Sequence, residues 1–236
     1  AVYVYRATRR QIRASVQQQN FMMAVTHELK TPIAVTQLNL ETLQKRKLDP
    51  GQQDKMIAST LQEANRLNML CNNILLASQL DGQAYQETRT EINFSDLLEG
   101  CIDTFKQHYP SRLVTEQIEP TLYLDGETLL LQMLVNNLLE NAHKYAPQDT
   151  EIKVVLGQFG KHIKLEVIDS GKGIPASEKL KIFEKFYRIG SEATRNTKGT
   201  GLGLYLCKKI AENHNANISV TDNKPQGSIF VVTFNS

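Results

Sequence analysis

Two long stretches of helix-forming residues, interrupted once at Leu48-Asp49-Pro50-Gly51, run from about Gln11 to Asp81. Aspartate, proline and glycine in succession are a strong turn signal, and the flanking residues favour helix, so this half reads as a helical hairpin. On the second arm Ile57, Leu61, Ala64, Leu67, Cys71 and Ile74 recur at spacings of three and four, and Met56, Leu70 and Leu75 widen the stripe. Two helices alone cannot bury so wide an apolar face. Pairing two hairpins as a four-helix bundle would bury it, which argues for a homodimer. Packing against the C-terminal half of the same chain is the alternative that periodicity leaves open.

After Asp81-Gly82 the period changes. Short apolar or alternating runs, such as Ile152 to Leu156, Ile163 to Ile168 and Ile229 to Phe234, alternate with helical stretches, as in an α/β or α+β domain. Helices are expected at Ser95 to Lys106, with Ser95 as cap, at Glu127 to Tyr145, ended by Pro147, and at Leu204 to Asn213. Further strands are expected at Thr90 to Phe94, Leu113 to Ile118, Leu122 to Asp125 and Ile218 to Thr221. The organisation predicted is a helical start over 1–15, the hairpin domain over 16–82 and the second domain over 83–236.

With 27 basic and 25 acidic residues among 236, composition gives no electrostatic footprint for nucleic acid. Cys71, Cys101 and Cys207 form no C-x-x-C pair, which points to buried thiols in a reducing compartment. No run reaches the roughly 18 apolar residues of a membrane span. The start, Ala1-Val2-Tyr3-Val4-Tyr5 followed by Arg6, Arg9, Arg10 and Arg13, is similar to an aromatic interfacial end with cytoplasmic positive flanks. It sets the expectation that the chain is the cytoplasmic portion of an inner-membrane protein anchored upstream of residue 1. A plain basic helix start is the other reading.

The first arm carries Thr26-His27-Glu28-Leu29-Lys30-Thr31-Pro32. His27 and Thr31, four apart, share a helical face, while Glu28 sits about 100° round the axis. From there Glu28 can reach the side of the imidazole, and a carboxylate accepting the Nδ1 proton makes Nε2 the better nucleophile. Pro32 deprives the Glu28 carbonyl of its helical partner, so a bend is expected.

In the second half Asn137, Asn141 and Lys144 share one helical face, with Leu134 and Leu138 behind. Two amides and an ammonium suit phosphate and Mg²⁺, and the Asn141 amide oxygen is a credible metal ligand. A solvated polar face would read similarly. Asp169-Ser170-Gly171-Lys172-Gly173-Ile174-Pro175 is a carboxylate on a glycine turn after an apolar strand, where backbone can approach a ring or phosphate closely. Gly199-Thr200-Gly201-Leu202-Gly203-Leu204 opens a helix whose N-terminal amides favour phosphate. It is no Walker A loop, because no G-K-[ST] follows.

Taken in order, these segments resemble the boxes of the sensor histidine kinases. Phe21 to Leu38 is similar to the histidine box, Asn137 to Tyr145 to the asparagine box, and Asp169 to Pro175 to the first glycine box. Phe183 to Arg188 resembles the phenylalanine box beside a lid, and Gly199 to Leu204 the second glycine box. The resemblance implies a dimerising helical hairpin followed by an α/β sandwich with a mixed sheet. It also implies that His27 is phosphorylated from ATP with Mg²⁺ and passes the group to an aspartate of a response regulator receiver domain. Glu28 would assist transfer and Thr31 would position water for phosphatase activity. ATP would be bound by Asn137, Asn141, Lys144, Tyr145, Asp169, Gly171, Gly173, Ile174, Tyr187, Arg188, Thr200, Gly201, Leu202, Gly203 and Leu204. Within that set Asn141 would hold the metal, Lys144 phosphate, Asp169 the adenine amine and Arg188 the terminal phosphate.

Three departures from the family pattern stand out. His143 replaces a small or aliphatic residue and is expected at the surface or beside the lid. Lys198 stands where a glycine is common, and His214-Asn215-Ala216-Asn217 lacks the usual glycines, which predicts an altered turn. ATPases of the gyrase, mismatch-repair and chaperone group share the nucleotide motifs but lack the histidine hairpin. A non-catalytic scaffold would not be expected to keep His27, Asn141, Asp169 and the glycines together.

Overall fold

The computed structural model describes residues 2–81, 88–190 and 200–235. The chain divides into two compact units, Ala1–Gly82 with Lys198–Leu202, and Gln83–Thr197 with Gly203–Ser236.

The first unit is the hairpin. Helix α1 (Val2–Lys45) continues through Pro32, and helix α2 (Pro50–Asp81) returns along it. The turn is sharper than the sequence suggests, because Pro50 and Gly51 already belong to α2. Asp49 is its cap, with Oδ1 accepting from the Gln52 amide at 3.1 Å, and Pro50 takes the first helical position, where a missing N–H costs nothing. Ala24 and Val25 of α1 and Leu76 and Ala77 of α2 are buried. Asn39 Nδ2 donates across to Ser59 Oγ and Thr60 Oγ1, both at 3.2 Å. Most of the expected stripe is uncovered, with Ile57 48%, Leu61 60% and Leu75 57% exposed and Cys71 exposed as well. The expectation of buried thiols therefore fails at Cys71, which lies on the uncovered face.

The second unit opens with β1 (Thr90–Asn93), paired antiparallel to β3 (Tyr123–Gly126). Between them lie helix α3 (Phe94–His108) and β2 (Val114–Ile118). Helix α4 (Thr128–Tyr145), β4 (Ile152–Phe159), β5 (His162–Asp169), helix α5 (Gly203–Asn213), β6 (Ala216–Asp222) and β7 (Ser228–Asn235) follow. The main sheet has the order β2-β4-β5-β7-β6, parallel only between β2 and β4. It is the mixed sheet that was expected. Alternation puts Ile152, Val154 and Leu156 of β4 and Ile163, Leu165 and Val167 of β5 inside. Helix α4 answers with Leu130, Leu131, Leu134, Val135, Leu138, Leu139 and Ala142, all at 0% exposure. Each such leucine contributes about 1.5–3 kcal/mol by burial. The same face-on register leaves Asn137, Asn141 and Lys144 on the outer side of α4.

Ser95 is not the cap of α3. Asn93 caps it, accepting from the Asp96 amide at 3.4 Å, so Phe94 belongs to the helix and packs edge-on against Phe234, with centroids 5.2 Å apart. Ser95 is buried and ties two segments instead, donating to Glu119 O at 2.7 Å and accepting from the Leu122 amide at 3.1 Å. At the end of α5 the missing glycine is replaced by Asn215, which takes φ 53°, a left-handed conformation that asparagine tolerates better than most residues.

Candidate functional site

On α1, His27 is exposed and Glu28 is buried. The two point differently from what helical spacing alone suggested. Glu28 Oε2 is 2.8 Å from Arg66 Nη2 on α2, so its carboxylate is engaged across the hairpin and not at His27 Nδ1. Thr31 Oγ1 donates to the His27 carbonyl at 3.3 Å, which keeps the hydroxyl on the histidine's side of the helix.

The asparagine, first glycine and α5 segments meet around α4. Gly171 sits so close to the end of α4 that a Cβ there would stand 2.7 Å from the Tyr145 carbonyl oxygen and 2.7 Å from Asp169 Oδ1; only glycine lets this turn dock. At the other end of the polar face, a Cβ on Gly203 would stand 2.9 Å from Asn137 Oδ1. Asn137 is held there by donating Nδ2 to Met133 O at 2.8 Å. Asn141 is half-buried between them, and its amide has no hydrogen-bond partner among the described residues. Lys144 lies 5.1 Å over the Tyr145 ring.

Asp169 ends β5 and is 4% exposed. Oδ1 accepts from the Gly171 amide at 2.7 Å. Burial pushes its carboxyl above the usual range, against the pull of the Gly171 and Ser228 amides and of Arg112. Gly173 and Ile174 line an open cleft with Asp222, Asn223 and Gly227, and Asn223 Nδ2 donates to Asp169 O at 3.0 Å.

The phenylalanine segment is not a regular helix end. A short 3₁₀ turn, Lys181–Phe183, gives way to Phe186 at φ 66°, a strained value for an aromatic residue. Tyr187 donates its hydroxyl to Glu178 Oε2, and that bond, with Lys181 beside it, lowers the Glu178 carboxyl. Arg188 is half-buried. Leu204 follows Gly203 in the first turn of α5. Thr200, Gly201 and Leu202 group with the first unit, and Lys198 and Gly199 lie outside the described residues.

His143 is half-buried and faces α3. Its ring stacks on Tyr109 at 4.0 Å and meets the edge of Phe105 at 5.9 Å. Burial, then Arg112, makes the imidazole harder to protonate. Residues that motif reading passed over include Arg112, Asn223 and Gly227. His214 is buried, and its Nε2 accepts from the Glu127 amide at 3.0 Å. No short pattern marks Arg112 or Asn223; the turn Lys224-Pro225-Gln226-Gly227 before the last strand was the available signal for Gly227.

Among the described residues no group of three or more His, Cys, Asp or Glu could hold a metal. Mg²⁺ takes oxygen ligands and commonly shares them with substrate phosphates, so one protein oxygen can suffice. Asn141, half-buried with its amide unengaged, fits that role.

Residues 17–83 match the family described as His Kinase A (phospho-acceptor) domain, and residues 126–236 the family described as histidine kinase-, DNA gyrase B- and HSP90-like ATPase. The sensor protein CiaH of Streptococcus pneumoniae is 34% identical over 98% of this chain and 53% of its own length. The signal transduction histidine-protein kinase BaeS of Escherichia coli is 31% identical over 90% of this chain and 45% of its own length. The chain thus spans about half the length of the curated relatives it matches. The Acinetobacter baumannii histidine kinase AdeS shares the fold, with a TM-score of 0.63 at 21% identity over 89% of this chain and 97% of that one.

Proposed function

Because the chain belongs to the two-component sensor histidine kinases, whose phosphoacceptor and ATPase domains it carries in order, we propose that it phosphorylates His27 from ATP and hands the group to a response regulator. The observation that carries this is the pairing, in one chain, of an exposed histidine on a helical hairpin with the convergence of Asn137, Gly203, Tyr145, Gly171 and Asp169 around α4.

In this reading the buried Asp169 carboxylate accepts from the exocyclic amine of adenine, and guanine, which offers an oxygen there, is rejected. Lys144 and Arg188 meet phosphate charge, and the N-terminal amides of α5 add to it. Asn141 would hold Mg²⁺, which when bound would neutralise phosphate charge. His27 Nε2 attacks the γ-phosphorus, forming the P–N bond as the bond to the β-phosphate oxygen breaks and ADP leaves. An aspartate carboxylate of the receiver domain then takes the phosphoryl group and restores the imidazole. Thr31, one turn from His27, orients the water that hydrolyses the receiver's phosphoaspartate to carboxylate and inorganic phosphate in the separate phosphatase reaction. The uncovered stripe of α2 supports a homodimer, with two hairpins completing a four-helix bundle. The aromatic and basic composition of Tyr3 to Arg13 supports a place on the cytoplasmic side of an inner membrane, although no helix among the described residues is long and apolar enough to cross one.

Incubation with γ-labelled ATP and Mg²⁺ tests the core of this. The label should be acid-labile, alkali-stable and absent from His27→Ala, while that variant still binds ATP; wild-type labelling of the variant would refute the assignment.

A further inference from the structure

Arg112 is 4% exposed, a rare degree of burial for a guanidinium. Its Nη1 donates to the Pro147 carbonyl, while Nε and Nη2 have no hydrogen-bond partner among the described residues. A charge so placed is tolerated only where other charges compensate it. The sheet shows which ones. Leu113, next in the chain, accepts from the Ile152 amide at the start of β4, and the β4–β5 register sets Lys153 opposite Ile168. Arg112 and Asp169 therefore stand at the same end of the sheet, on either side of β4. Asp169 is the main charge acting on Arg112, followed by Asp149 from the loop after α4. The Arg112 charge also makes His143 of α4 harder to protonate. Around Asp169 itself, the Gly171 and Ser228 amides and Arg112 oppose the effect of burial, and of these only Arg112 is a side-chain charge.

We propose that Arg112 is a positioning residue for nucleotide recognition: its buried guanidinium is the counter-charge that keeps Asp169 an acceptor for the adenine amine, and it fastens the loop that joins α4 to β4. The proposal rests on the adenine-binding reading of Asp169. Without the guanidinium, the carboxyl would take up a proton nearer neutrality and present the wrong group to adenine. A purely structural arginine would instead affect binding alike at every pH.

Mg-ADP affinity measured by calorimetry at pH 8 and pH 6 separates the two roles, since the nucleotide's own titration cancels between variants. Arg112→Met should bind near wild type at pH 8 and lose more affinity than wild type does on going to pH 6, because a carboxyl without its counter-charge takes up a proton at higher pH. Arg112→Lys, which keeps the charge, should follow the wild-type profile. An equal loss at both pH values in Arg112→Met overturns the proposal. If Asp169→Asn binds Mg-ADP as wild type does, the adenine reading fails and this one with it; if Asp169→Asn is weakened but Arg112→Met has the wild-type profile, only the role of Arg112 falls. Should Arg112→Met not fold, the carboxyl carbon-13 resonance of Asp169 in the unmutated chain decides: ionised at pH 7 is expected, and protonated at pH 7 overturns it.

Discussion

Nη2 of Arg66, on the second arm of the hairpin, lies 2.8 Å from Oε2 of Glu28, the neighbour of His27. The Glu28 side chain is 9% exposed and that of Arg66 39%, so the pair is half sheltered and joins the two helices at the level of His27. A double-mutant cycle of Glu28→Ala and Arg66→Ala, read by chemical denaturation, should give a coupling of about 1–3 kcal/mol, toward the low end because Arg66 is partly solvated. Additive losses would mean the contact contributes nothing.

Kinase and phosphatase chemistry should separate on α1. Glu28→Gln should slow label incorporation at His27 by roughly 10²-fold, since the carboxylate must leave Arg66 to serve the imidazole and an amide cannot accept a proton. Thr31→Ala should retain autophosphorylation and lose phosphatase activity toward a phosphorylated receiver domain. Equal loss of both activities in Thr31→Ala, with helicity intact, would assign the hydroxyl to support of the helix.

Asp169 should be a site where function opposes stability. Its carboxyl is raised by burial, so the folded chain holds that proton more tightly than the unfolded chain does. The stability linked to it is present below the ordinary carboxylate range and is lost as pH rises through the folded value. Asp169→Asn should therefore melt above wild type at pH 7, with the difference vanishing near pH 4. The same variant should lose roughly tenfold or more in preference for ATP over GTP. A variant less stable at pH 7 would mean that the amides and Arg112 outweigh burial.

The three thiols should report the fold directly. Burial pushes the Cys101 thiol up to about 11 and the Cys207 thiol higher still, whereas Cys71 is exposed. A thiol reagent at neutral pH should modify Cys71 in the folded monomer and all three in denaturant. Slow reaction of Cys71 that becomes fast on dilution would place it at the subunit contact.

The hairpin alone, Gln11 to Asp81, should dimerise, because Ile57, Leu61 and Leu75 are left about half exposed by its own partner helix. Light scattering at micromolar concentration checks this, and a helical monomer would contradict it.

Most of the fold was legible because hydrophobic period changes where the architecture does. The alternation in Ile152 to Leu156 and the turn at Asp49-Pro50-Gly51 each determine a local geometry. Motif order likewise points to Asn137, Asp169 and Gly203. What escaped depends on long-range pairing. Glu28 is adjacent to His27 in sequence, yet its partner is 38 positions away on another helix. Arg112 sits in the polar run Tyr109-Pro110-Ser111-Arg112, which reads as surface until β2 and β4 are paired. His143 reads as a departure from a motif, and only the packing of α3 on α4 reveals its stacking on Tyr109.

Helix α1 runs 44 residues without a break, about 66 Å at 1.5 Å per residue. Such a rod has an angular phase as well as a length. Each residue inserted ahead of Phe21 turns everything upstream by about 100° relative to His27, and seven together restore the orientation to within about 20°. A rotation imposed at Tyr5 would be carried along the helix to His27, with a phase that repeats in units of seven.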